Sequence, residues 1–137
     1  MGVEIKGLKE LQAKFAKLDE DLQTEVDAEL TASAVNITSN AKRMAPIDTG
    51  RLRGSIVPDT NTKFFKKVTA NVFYAPYVEF GTGTKVQVPA GLETYAMQFK
   101  KSVKPWNGMN AQPYFFPALD AEAPKLINNL KKILEIK

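Results

Sequence analysis

Residues 19–46 read DEDLQTEVDAELTASAVNITSNAKRMAP, and the period of this stretch decides the first half of the fold. Leu18, Leu22, Val26, Leu30, Ala34, Ile37 and Ala41 recur every three or four residues, the spacing of one helix face. Upstream, Ile5, Leu8, Leu11 and Phe15 extend the same stripe, so the pattern runs from about residue 8 to 44. Asp19-Glu20-Asp21 interrupts it. Asp19 is placed to cap a new helix, and an acidic first turn suits the positive end of the helix dipole. The expectation is a short helix, a hinge near Leu18–Asp21, and a long helix that ends before Pro46. The side opposite the stripe is acidic, so the apolar face reads as core or subunit interface rather than a membrane face.

Downstream the signals change. Pro46, Asp48-Thr49-Gly50 and Gly54 punctuate a loop, in which Asp48-Thr49 is expected to cap a single turn through Leu52. Ser55-Ile56-Val57 and Phe64–Tyr74 read as strands of a hairpin, with Pro58-Asp59-Thr60-Asn61 as its turn and the aromatics of the second strand in the core. Gly81-Thr82-Gly83 reads as a glycine-bearing bend, and Val86–Val88 as a further short strand. Pro89 opens a helix over 89–100. Pro117 opens a C-terminal helix striped by Leu119, Leu126, Ile127, Leu130, Ile133 and Leu134, in which Pro124 sits in a first turn or makes a kink.

The fold class is therefore α+β: long N-terminal helices packed on a small, mainly antiparallel sheet, with a further helix and a C-terminal helix. One domain is expected over 1–137, with a helical arm (1–44), sheet and loops (45–119) and the final helix (117–137). Its 137 residues are enough to bury about two-thirds of the chain's surface without staples.

Composition excludes much chemistry. There is no Cys and no His, hence no disulfide, thiol nucleophile, zinc finger or His-based triad. No loop has the acidic spacing of a calcium site, and no cofactor is expected. Nothing is apolar for long enough to span a membrane, and the N-terminus lacks the apolar run of a signal peptide. Gly81-Thr82-Gly83-Thr84-Lys85 lacks the glycine spacing of a phosphate-binding loop. Glu79, set among apolar neighbours, needs a partner, and Arg51 or Arg53 is the expected one.

The net charge of +4 is uneven. Residues 1–30 carry four Lys against eight Asp and Glu, while residues 31–137 carry 15 basic and seven acidic residues. Solvated helix faces are one reading. Binding of a polyanion through the basic body is another. Assembly, with the acidic arm of one subunit on the basic body of the next, is a third. Lys63-Phe64-Phe65-Lys66-Lys67 and Phe99–Trp106 interleave cations and aromatics, as single-strand binders do.

Three segments carry a resemblance: Ala45–Ile56 (APIDTGRLRGSI), Tyr74–Thr82 (YAPYVEFGT) and Ala111–Leu119 (AQPYFFPAL). In this order, after a long helix, the chain resembles the tail-completion (minor tail, head–tail joining) family of tailed bacteriophages and prophages. The resemblance implies a non-enzymatic virion component made in the bacterial cytoplasm and placed at the neck. It implies a homo-oligomeric ring, a hexamer, around the DNA channel. Implied partners are head-closure, tail-terminator or tail-tube proteins, with non-specific contact to DNA and no membrane. On that reading Asp48, Thr49, Gly50, Arg51, Arg53, Tyr74, Tyr77, Glu79, Phe80, Gly81, Thr82 and Lys85 are the assembly candidates. The alternatives are a tail terminator or head-closure ring and, in a different class, a small basic nucleic-acid-binding domain.

Overall fold

The computed structural model describes residues 17–47, 50–82, 85–87, 89–98 and 108–135. The expected first helix, Asp48, Thr49, Gly83, Thr84, Val88 and the Phe99–Trp106 segment lie outside the described residues.

Helix α1 (Glu20–Met44) is the axis of the molecule. The Asp19 carboxylate accepts a 2.9 Å hydrogen bond from the Leu22 amide, so the expected cap is in place. Glu20 and Asp21 occupy the positive end of the helix dipole, and Lys42 and Arg43 the negative end. Helix α2 (Arg51–Ser55) follows, then β1 (Ile56–Thr62) and β2 (Phe65–Ala70), paired antiparallel. Helices α3 (Ala75–Phe80) and α4 (Glu93–Met97) are short, and α5 (Phe115–Glu135) closes the fold. The hairpin, α2 and α5 all pack on α1. Helices α1 and α5 run antiparallel, since Glu29 bonds Asn129 while Ser33 and Asn36 bond Glu122.

Small residues on α1 and at its C-cap let these layers approach. Ala34, Ala41 and Ala45 meet Leu52, Ile56, Val68, Ala70, Tyr114, Phe115 and Ala118 in the main core. A second cluster, Val26 and Phe64 with Leu18, Leu30, Leu130 and Ile133, closes the other end.

The hairpin forms, but its turn is not at Pro58–Asn61. Those residues lie in β1, and the turn falls at Lys63-Phe64. The cause is tertiary. The Phe64 ring is buried against Val26, and its amide donates to the Asp27 carboxylate at 2.8 Å, which holds Phe64 at φ 63°. Both strands are edges, where proline is tolerated, so Pro58 pairs with Val68. Register slips between Asp59 and Thr62, and Lys66 repairs the slip. Its ammonium donates to the carbonyls of Thr60 and Thr62 and to Asp27, each at 2.9 Å, and its side chain is 5% exposed. Burial pushes the Asp27 carboxyl up. The Phe64 amide and the Lys66 ammonium, helped by Lys63, outweigh that and hold its pKa below the usual value.

Other boundaries also move. β2 stops at Ala70, and Phe73 is 81% exposed rather than core. Residues Ala75–Phe80 are helical, with Pro76 in the first turn where its missing donor costs nothing. Lys85–Gln87 is not a strand. The helix expected over 89–100 is the five-residue α4. α5 starts at Phe115, ahead of Pro117, and Pro124 lies inside it.

Candidate functional site

The three motif segments converge. The second supplies α3, whose Glu79 is only 3% exposed. Its partners are backbone amides of the third segment rather than Arg51 or Arg53. Oε2 accepts from Tyr114 (2.8 Å) and Phe115 (2.9 Å), and Oε1 from Phe116 (3.0 Å). A carboxylate at a helix N-terminus satisfies donors that have no partner within the helix and meets the favourable end of the dipole. Helix caps usually come from the preceding residue. Here the cap is supplied from another element, which explains why α5 begins two residues earlier than Pro117 implied.

Further bonds tie the same two segments. The Gln112 amide donates to the Val78 carbonyl at 2.8 Å, and the Tyr114 hydroxyl to the Ala75 carbonyl at 3.2 Å. The Thr82 amide donates to Met109 O at 3.0 Å, and the Met109 amide to Thr82 Oγ1 at 2.8 Å. Phe80 is fully buried, with its ring 5.7 Å from that of Phe116. Gly81 ends α3 at φ 80°, and a Cβ there would stand 2.7 Å from Met109 O and 2.9 Å from both Ala111 N and Lys85 O. All three are backbone atoms, so only glycine fits this crossing.

The first segment closes one side of a cleft of about 280 Å³. Pro46, Gly50, Arg51 and Leu52 line it together with Tyr74, Val78, Met109 and Gln112. Gly50, at φ 78°, stands at the N-cap of α2, and the expected cap residues Asp48 and Thr49 lie outside the described residues. Arg51 is exposed. Arg53 is half-buried, donating through Nη2 to Ala45 O at 3.5 Å, with its Nε buried and lacking an acceptor. Tyr77 is exposed, Thr82 half-buried and Lys85 exposed.

Of the sequence candidates, then, Gly50, Arg51 and Tyr74 line the cleft, and Glu79, Phe80, Gly81 and Thr82 form the clamp between α3 and the start of α5. Met109, Gln112 and Tyr114 belong to the same arrangement and were not singled out. The aromatic run Pro113–Pro117 was the available signal for Tyr114; nothing marks Met109. Both Glu79 oxygens are engaged by amides, so the geometry gives this acid a structural task. Among the described residues no group of three or more acidic side chains is placed to hold a metal. No described helix is long and apolar enough to cross a membrane.

Residues 9–81, more than half of the chain, match the HK97-gp10-like family model, described as "Bacteriophage HK97-gp10, putative tail-component". The chain belongs to this family. The match ends at Gly81, so this HK97-gp10-like chain carries its third motif segment beyond the matched region. No curated protein and no solved structure matches the chain significantly.

Proposed function

We propose that this tail component is a non-enzymatic structural protein that completes the tail and joins it to the head at the neck, as a homo-oligomeric ring around the DNA channel. The observation that carries the reading is the clamp. The buried Glu79 carboxylate is spent on three backbone amides, in a family of phage tail components. A ring subunit needs a rigid body and docking surfaces rather than a reactive centre, and heterologous contacts that close produce rings. The cleft and the segment after Gly81 are the assembly surfaces on this reading, and a hexamer is the expected ring. The neighbours are head-closure, tail-terminator or tail-tube proteins, and the protein is made in the bacterial cytoplasm before it enters the virion.

Cryo-electron microscopy of intact particles tests this. Density for the chain as a ring at the head–tail junction is the expected result. Particles that lack the protein, or that carry it only at the distal end of the tail, would refute it.

A further inference from the structure

The C-terminal half of α5 carries an apolar seam that the described residues leave uncovered. Ala123, Ile127, Leu130 and Leu134 follow spacings of four, three and four, which sets them on one helix face. Leu130 packs on the Val26–Phe64 cluster, but Ile127 is 52% exposed and Leu134 is 40% exposed. The N-terminal sequence holds the matching pattern. Leu8, Leu11, Phe15 and Leu18 follow spacings of three, four and three, with Lys9, Glu10 and Lys14 on the polar positions between them. Leu8 to Phe15 and Ile127 to Leu134 are both seven-residue steps, about 10 Å of helix each.

We propose that residues 5–16 form the expected first helix and lie on this seam of their own subunit, parallel to α5, with Leu11 over Ile127 and Phe15 over Leu130 and Leu134. The place where the segment joins the described chain chooses the site. Leu18 is half-buried and packs, with Leu130 and Ile133, around Val26 and Phe64. Phe15 is three residues from that anchor, a reach of about 10 Å, so it stays at this end of the molecule. Met44 and Ile47 are also exposed, but they stand at the far end of a 25-residue helix, about 37 Å away. The chain also breaks from the axis of α1 here. Asp19 is extended (φ −65°, ψ 163°), and the Gln23 side-chain amide fixes the turn by donating to the Leu18 carbonyl at 2.9 Å. A segment that folds back along α1 runs parallel to α5, because α1 and α5 are antiparallel. A second copy fits less well. Two such seams pressed together join only about two helical turns a side, far short of the roughly 800 Å² per partner of a stable interface. A neighbour's segment would have to bring its own anchored Leu18 within the same short reach. The subunit's own segment is tethered beside the seam, at the high effective concentration that a short tether gives. The apolar stripe of residues 5–18 is then spent inside one subunit and closes this flank of α5 to neighbours, wherever in the particle the protein sits.

The chain has no Cys, so introduced thiols react alone. Full-length Leu11→Cys/Ile127→Cys is oxidised beside a control pair, Leu11→Cys/Met44→Cys, and both are run on a denaturing gel without reductant. The expected result is a within-chain bond in the first pair and none in the second, since a disulfide needs Cα atoms about 4–7 Å apart. Alkylation of the single variant Ile127→Cys is the second readout. Adding Phe15→Asp should speed it about tenfold or more, while the thiol of Ala41→Cys in the main core stays protected in the same background. A covalent dimer, no bond, or a control pair that links as fast as the test pair would overturn the proposal. So would an alkylation rate at 127 that Phe15→Asp leaves unchanged, or one that rises at 127 and 41 together.

Discussion

The Glu79 carboxylate holds the Phe115 amide at 2.9 Å across 36 residues of chain, and with it the start of α5. One side chain of a six-residue helix thus sets where a 21-residue helix begins. Glu79→Ala is expected to cost about 2–4 kcal/mol, combining a lost cap with buried amides left unsatisfied. Glu79→Gln keeps one acceptor oxygen but turns an NH2 towards N–H donors, so it should recover only part of that. Urea denaturation of the two variants measures the difference, and equal stability of Glu79→Ala and the parent would refute the capping role.

Two glycines with nearly equal φ should respond differently. At Gly81 a methyl group meets three backbone atoms inside 3.0 Å as well as an unfavourable φ of 80°. At Gly50, φ is 78° but nothing stands within 4 Å of the added Cβ. Gly50→Ala should therefore cost about 1 kcal/mol, the left-handed penalty alone. Gly81→Ala should cost more than about 3 kcal/mol, since backbone must move. Thermal melts of the purified variants decide it.

Acid should loosen the hairpin's hold on α1. The folded pKa of Asp27 lies below its ordinary value of 3.8. The stabilisation is therefore complete above that ordinary value and is lost as pH falls through the lower, folded pKa. Asp27→Asn should flatten the acid limb of the stability profile below about pH 4. Asp27→Ala also strands the buried Lys66 ammonium, at a cost of about 2 kcal/mol after discounting for the partly exposed acid. Stability measured against pH for the three proteins checks both effects.

Ser33 and Asn36 on α1 both donate to Oε1 of the buried Glu122 on α5, at 3.1 and 3.2 Å. Ser33→Ala should cost about 1 kcal/mol. Glu122→Leu alone should cost more, because two donors lose their acceptor. The double variant should be more stable than the sum of the single losses implies, with a coupling of at least about 0.5 kcal/mol in a double-mutant cycle.

Local order in the chain made several of these elements legible. Asp19 declared its cap through an acidic first turn, Pro46 the end of α1, and the apolar stripe the face on which everything else packs. β-branched and aromatic residues announced a hairpin. Its turn was misplaced because Pro58–Asn61 has better local turn chemistry than Lys63-Phe64. Burial of Phe64 and the Asp27 acceptor outweigh that preference, and both depend on a helix some 37 residues away. Within the candidate site, glycine at 81 was readable as a bend, but the reason it must be glycine is a backbone segment near residue 110.

Charge shows the same division. An acidic run and a basic body are facts of the sequence. Their partial meeting inside one subunit, Lys66 on Asp27, is a fact of packing. Glu79 likewise looked like half of an ion pair, because a sequence displays side-chain charges and hides backbone dipoles. By itself the sequence determined an α+β chain with a capped central helix, no Cys or His chemistry, and three motifs that travel together. Only the tertiary structure decided that those motifs meet at one clamp and cleft, since hydrogen bonds and close approaches between distant segments exist only after the chain has packed.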